Sequence, residues 1–229
     1  RVNPRARRII VKVHPSTGEV AVVAPSTRAI NPAIDFARAE RDWIAERLSR
    51  IPPAVPFAPG AMVPYRGVDH VIRWAGAKRG LVYIDQEAWR PTIRVAGGEE
   101  FVSRRLEDWF KRQARFHLTR KVEAYAGALG VTVRRITVRD GASRWGSCSS
   151  NGSLSFSWRL VMAPPAVLDY VAAHEVAHLQ QMNHSPRFWR LVERLVGESG
   201  AAQDWLRENG SQLHRYGDLG SGHAMDIIL

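Results

Sequence analysis

A single cysteine in 229 residues excludes an internal disulfide, and Cys148 on its own fits a reducing compartment such as the cytoplasm. No apolar run approaches the roughly 18 residues that a membrane span needs. None near the N-terminus has the character of a leader's hydrophobic segment. A soluble, uncleaved, cytoplasmic protein with no membrane partner is therefore expected, although a chain that opens at Arg1 without methionine leaves room for residues upstream. Internal repeats and low-complexity tracts are missing too. So are a helix-turn-helix, a zinc-finger cysteine pattern and an RNA-binding signature, which weakens any reading of the chain as a dedicated nucleic-acid module.

Negative charge is scarce relative to positive: 33 Lys and Arg against 22 Asp and Glu give a net charge of +11. Arg1, Arg5, Arg7 and Arg8 cluster at the start. Arg104, Arg105, Lys111, Arg112, Arg115, Arg120 and Lys121 crowd one later segment. Such a balance fits nucleic acid, a nucleotide, ribosomes or acidic substrates as partners, and before them a plainly solvated surface.

The chain is long enough to bury a substantial core. Arg8 to Val13 and Glu19 to Ala24 read as strands around a Pro15-Ser16-Thr17-Gly18 turn. A helix then starts at Asn31-Pro32, with Phe36, Ala39, Trp43, Ile44 and Leu48 on one face. Pro52, Pro53, Pro56 and Pro59 make a stiff connector. Val71 to Trp74, Leu81 to Ile84 and Thr92 to Val95 are strand-like runs. Gly97-Gly98 punctuates the chain, so a β-rich N-terminal region with one helix is expected over 1–97 and a second domain over 98–229. A long helix over Glu99 to Leu129, ending at Gly130, opens that second domain, and Val131 to Val138 follows as a strand. The order of elements is that of an α+β fold.

The chemistry concentrates at His174-Glu175-Val176-Ala177-His178. At i and i+4 on a helix the two imidazoles lie one above the other and can reach a single ion. Glu175 sits about 100° round the helix, placed to face a water held by that ion and to take its proton. Pro164-Pro165 start the helix, and Leu168, Val171, Ala172, Leu179 and Met182 form its apolar stripe. Ser185-Pro186 then cap a second helix carrying Phe188, Trp189, Val192, Leu195 and Val196, closed by Gly197. His184, in the turn between, can bring a third imidazole onto the metal. Glu193 and Glu198 on or after the next helix are rivals for that position, because many such sites take a carboxylate.

Upstream, Ser153 to Leu160 alternates polar and apolar residues as a strand with one buried face does. It is either a sheet edge that pairs with an extended peptide, with Phe156 and Trp158 beside the substrate, or an interior strand. Ser143 to Gly152 is a small-residue loop in which Arg144 suits a substrate carboxylate, a phosphate or a structural ion pair. Cys148 in that loop is either a redox-sensitive thiol or a small inert residue.

Taken together, Arg144-Trp145-Gly146-Ser147-Cys148-Ser149, Trp158-Arg159-Leu160-Val161, Ala163-Pro164, Asp169-Tyr170-Val171, the His174 to His178 motif and Asn183-His184-Ser185-Pro186-Arg187-Phe188-Trp189 resemble the YgjP-like metallopeptidase-domain family. That family is a bacterial zincin group similar to SprT-like and WLM metalloproteases. The motifs are dense over residues 144–189, whereas over the first 130 or so the likeness rests on general layout. The resemblance implies a zincin-like metalloprotease domain, one Zn2+ per chain on His174, His178 and His184, and Glu175 as catalytic base. It implies hydrolysis of a polypeptide, flexible or unfolded. Two other functions compete from the residues alone: a metal-dependent nucleotide phosphohydrolase of the pyrophosphatase type, with Arg144 holding the anion, and a ribosome- or nucleic-acid-associated protein with a structural zinc. The last has no use for Glu175.

Overall fold

The computed structural model describes residues 1–13, 18–51, 53–76, 80–141 and 144–217. The Pro15 to Thr17 part of the expected turn, Pro52 and Ser143 lie outside the described residues. The chain divides into two compact units, the first over 1–54 and the second over 55–218.

In the first unit, β1 (Ile10–Val13) and β2 (Val20–Val23) pair antiparallel, with Ile10 opposite Val23. The single expected helix is two, α1 (Ile30–Ala39) and α2 (Arg41–Ser49). Glu40 between them has φ −87° and ψ 13°, off the helical well, which resets the helix direction. Phe36 and Trp43 consequently do not share a buried face, and both stay partly exposed.

The second unit begins inside the proline connector and holds two sheets. The first comprises β3 (Met62–Tyr65), β4 (Val68–Trp74), β5 (Val82–Asp85) and β6 (Thr92–Val95), in the order β3-β4-β6-β5 with β4 and β6 parallel. The β3–β4 hairpin turns through Arg66 (φ 53°) and Gly67 (φ 79°), the left-handed pair that a two-residue hairpin of matching twist requires. The backbone N–H groups of Arg66 and Gly67 donate to Val161 O and Met162 O at 2.8 and 3.0 Å. A side chain on Gly67 would meet Pro164 Cα at 3.0 Å. The hairpin tip is thus fastened to the segment that leads into the histidine helix.

A 28-residue helix, α3 (Val102–Leu129), follows a short 3-10 turn. Leu106, Phe110, Leu118 and Val122 keep to its buried stripe, and Gly130 at φ 66° closes it in the left-handed conformation that glycine adopts without penalty. The second sheet has the order β7-β9-β8, from β7 (Arg135–Arg139), β8 (Gly146–Cys148) and β9 (Ser153–Ser157). A 3-10 turn over Trp158–Val161 leads to α4 (Pro165–Ala177), α5 (Pro186–Val196) and α6 (Gly200–Asn209).

One core runs through this unit. Phe57, Val63, Ile72, Ile93 and Val95 from the first sheet share it with α3, β9 and α4. Gly97-Gly98, read as a domain boundary, therefore lies within a compact unit, because the sheet before it has no separate core to bury. The architecture is α+β, as the order of elements implied. Among the described residues no helix is long and apolar enough to cross a membrane.

Candidate metal centre and peptide-binding edge

Helix α4 supplies His174 and Glu175 and ends at Ala177, so His178 is its C-terminal cap. The chain then turns through residues 179–184 and re-enters a helix at Ser185, whose hydroxyl accepts from Phe188 N at 3.5 Å. That short turn swings His184 back over α4. His178 Nε2 and His184 Nε2 lie 3.2 and 3.1 Å from His174 Nε2, and one nitrogen from each ring falls within 4.8 Å of the others. Three imidazoles converge on one point where they could hold a metal ion.

The rings are oriented from behind. His178 Nδ1 lies 3.0 Å from Gln181 O. A carbonyl only accepts, so this nitrogen carries the proton and leaves the Nε2 lone pair facing the cluster. His174 Nδ1 approaches Tyr170 Oη at 3.4 Å, one helical turn earlier. Phe188, fully buried, lies beneath all three imidazoles, with ring centroids 4.8, 4.5 and 4.8 Å from those of His174, His178 and His184. Burial, and then the neighbouring His178 and His184, push His174 down to about 4, so its ring is neutral near pH 7. Burial lowers His178 in the same direction. Neutral imidazoles are the form a metal ion requires.

Glu175, next to His174 on α4, is 6% exposed and borders the same cleft as the three histidines. Burial pushes its carboxyl up to about 7, and the charge of Arg144 pulls it back. A carboxyl poised near neutrality can both take and return a proton. What it packs against is β8: a Cβ on Gly146 would meet Glu175 Oε1, Cγ and Cδ at 2.5, 2.6 and 2.8 Å. Position 146 must lack a side chain for Glu175 to lie where it does. Reading the segment as a small-residue loop missed both this strand and this contact.

Of the two alternatives for Ser153 to Leu160, the structure has the interior strand, so Phe156 and Trp158 do not lie on a substrate edge. β9 is the central strand, with β7 and β8 on its flanks, and Phe156 and Trp158 are 1% and 0% exposed. Neither has surface with which to touch a substrate, because the alternation in Ser153 to Leu160 records core burial, and the strand stops at Ser157 before a 3-10 turn. Among the described residues, the free edge beside the histidines is β8. Trp145 O accepts from Ser157 N at 2.9 Å and Ser149 N donates to Ser153 O at 3.0 Å. In an antiparallel ladder the bonded positions alternate, so Gly146 and Cys148 turn their backbone N–H and C=O groups to the open side.

Arg144, Ser147, Cys148 and Met182 line the cleft in which His174, Glu175, His178 and His184 meet. Met182, expected on the buried stripe of α4, lies beyond the end of the helix and is 57% exposed at the cleft. Burial, then the Glu175 carboxylate, raise the Cys148 thiol, which keeps it protonated and unreactive. The rival ligands stay apart from the cluster: Glu193 is exposed on α5, and Glu198 lines a different cleft with Tyr125 and Asp169.

The solved crystal structure of the metallopeptidase zymogen of Pyrococcus abyssi abylysin is similar to this chain at 22% identity, over 41% of this chain and 92% of that one, with a TM-score of 0.36. That likeness is too slight to carry an argument. No curated protein matches the chain. The family model described as YgjP-like, metallopeptidase domain, matches residues 7–209, a span that takes in all three sheets and the whole histidine cluster. On that match, and with the motifs around the cluster in agreement, the chain belongs to the YgjP-like metallopeptidase-domain family.

Proposed function

We propose that this chain is a zinc-dependent peptidase in which His174, His178 and His184 hold one Zn2+ and Glu175 is the general base. The observation that carries the reading is the spacing of the three Nε2 atoms around His174, 3.1 and 3.2 Å. Tetrahedral ligands at zinc–nitrogen bond lengths of about 2.0–2.1 Å stand roughly 3.3 Å apart. An all-imidazole set with no fourth protein ligand among the described residues suits a catalytic zinc rather than a structural one. When bound, the zinc supplies a Lewis acid that polarises the scissile carbonyl and makes water acidic enough to attack near neutral pH.

The protein's own part follows from placement. Glu175, held against Gly146, takes the proton of the attacking water and passes it to the leaving amine. Gly146 and Cys148 offer backbone donors and acceptors to an extended peptide, which would add to the sheet as a further strand. Main-chain pairing of this kind needs a segment free to extend. Flexible or unfolded polypeptide is therefore the substrate class, in preference to a compact fold.

Metal content tests the ligand set. Purified protein should carry about one zinc per chain, and His174→Ala or His184→Ala should lose most of it, as read by elemental analysis. Full zinc in His184→Ala, together with loss in Glu193→Ala or Glu198→Ala, would overturn the assignment of the third ligand.

A further inference from the structure

The face of the β7-β9-β8 sheet turned away from the core carries a polar cleft of about 290 Å³ that the peptidase chemistry does not use. Its floor is the row Ser147–Ser155, paired across β8 and β9. Its walls include Arg139, at the end of β7, and Arg144, just before β8. Two arginines bordering a serine floor make an environment for an anion, since a guanidinium offers several donors and no acceptor. The acid in the cleft, Asp140, is already occupied: Arg159 Nε and Nη2 donate to its two oxygens at 2.8 and 3.0 Å. Ser155 adds an independent sign. Its Oγ is buried without a hydrogen-bond partner among the described residues, which costs free energy, and a change of its χ1 rotamer would turn this unsatisfied hydroxyl toward the cleft.

The cleft connects to the metal centre through β8. Arg144, Gly146 and Ser147 line both. Side chains alternate across a sheet, so Gly146 and Cys148 belong to the face of the histidine helix while Ser147 belongs to the opposite face. A substrate strand paired on the β8 edge would do the same. Where one of its residues presents itself to the metal side, its neighbour in sequence points to the outer face beside Ser147; Ser155 on β9 and Arg139 on β7 lie one and two strands further on, at about 5 Å per strand, a gap that a long acidic side chain and the arginine side chain span between them.

We propose that this cleft is a specificity subsite for a carboxylate on the peptide substrate, borne by a residue adjacent to the one at the metal. The inference rests on the peptidase reading above. The carboxylate can be an aspartate or glutamate side chain or the free C-terminus of the chain, and the two sources differ in a peptide experiment. A charge-assisted hydrogen bond replaced by a neutral one at such a subsite changes kcat/KM by roughly tenfold.

The test uses zinc-loaded full-length protein and a library of unstructured peptides that is otherwise neutral, with glutamate or glutamine at each position in turn and the C-terminus free or amidated. The expected result is cleavage throughout, with roughly tenfold higher kcat/KM where glutamate occupies one position next to the scissile bond, or where the free C-terminus does. The first pattern identifies a side chain and the second a terminus. Arg139→Gln, which does not reach the metal cleft, should shrink that ratio toward one, and Ser155→Ala should shrink it in part. Binding to the Glu175→Gln protein, followed by calorimetry, should show the same preference in Kd without turnover. Cleavage of all peptides at equal rates, or a preference unchanged in Arg139→Gln, overturns the subsite and leaves the peptidase standing. No cleavage of any peptide, with zinc-dependent phosphate release from a nucleoside triphosphate, overturns both.

Discussion

At Gly146 a hydrogen atom stands where any other residue would place a carbon within 2.5–2.8 Å of the Glu175 side chain. Gly146→Ala should therefore displace the carboxyl while leaving the three histidines untouched. Misplacing a reacting group by about an ångström costs on the order of a hundredfold in rate, so kcat should fall about that far with zinc content unchanged. In a Glu175→Gln background the same substitution should cost nothing further; an equal loss in both backgrounds would show that Gly146 acts through the fold instead. Asp140 offers a second test at this scale. Burial raises its carboxyl, but the Arg159 hydrogen bonds and charge outweigh that and hold it below the ordinary value of 3.8. Arg159 is itself buried and also donates to Leu213 O and Tyr216 O at 2.9 and 2.7 Å, so the pair fastens the 3-10 turn over Gly210–Arg215 that follows α6. A carboxyl depressed on folding adds stability that is present above its unfolded value and is lost as pH falls through the folded one. Asp140→Asn should cost roughly 1–2 kcal/mol at pH 7, modest because the aspartate is half exposed. The gap from wild type in urea unfolding should narrow below about pH 4; a gap that does not change with pH would contradict this account.

The elements were readable from the sequence in proportion to their periodicity. Helix α3 and strands β4, β5 and β6 announce themselves through apolar spacing and glycine or proline punctuation, and the structure has them within a few residues of those positions. Strand β8 does not: Gly146, Ser147 and Cys148 carry no hydrophobic alternation, because one face of the strand must be empty to admit Glu175. The pattern that was visible, in Ser153 to Ser157, belongs to the central strand, whose Leu154 and Phe156 are buried while Ser153 and Ser155 are only half-buried, the same alternation that a substrate edge would show. The spacing of the histidines, by contrast, depends only on a helical turn and a six-residue return, which is why the convergence of His174, His178 and His184 is legible in the sequence. Their floor, Phe188, could be recognised as core but not as the surface beneath the imidazoles. The edge can be probed with proline, which removes one backbone donor. Cys148→Pro should lower peptide turnover at least tenfold with circular dichroism unchanged, because its N–H faces the open side. Ser147→Pro, whose N–H faces β9, should instead disrupt the sheet. If folded Cys148→Pro protein cleaved peptide as wild type does, the β8 edge would not be the docking strand.

Across the whole chain, the net charge of +11 is partly consumed by the fold. Lys121 pairs with Asp169 and Lys111 with Glu107, Arg105 donates to Gly80 O, and Arg159 is buried against Asp140. The unit that carries these contacts spans residues 55–218, and its single core joins the first sheet to the histidine helix by way of the Arg66–Gly67 hairpin tip. A glycine pair such as Gly97-Gly98 marks a turn equally well within a unit as between units, so composition alone could not tell the two apart. What that core serves is the relation between Glu175 and the three histidines, and Glu175→Gln separates the two. The substitution keeps the size of the side chain and removes its basicity. The decisive measurement is the cleavage rate of an unfolded polypeptide by Glu175→Gln protein whose zinc content has been matched to wild type. The expected result is about one zinc per chain with turnover reduced at least a hundredfold. Undiminished turnover with the zinc in place would contradict the assignment of Glu175 as the base.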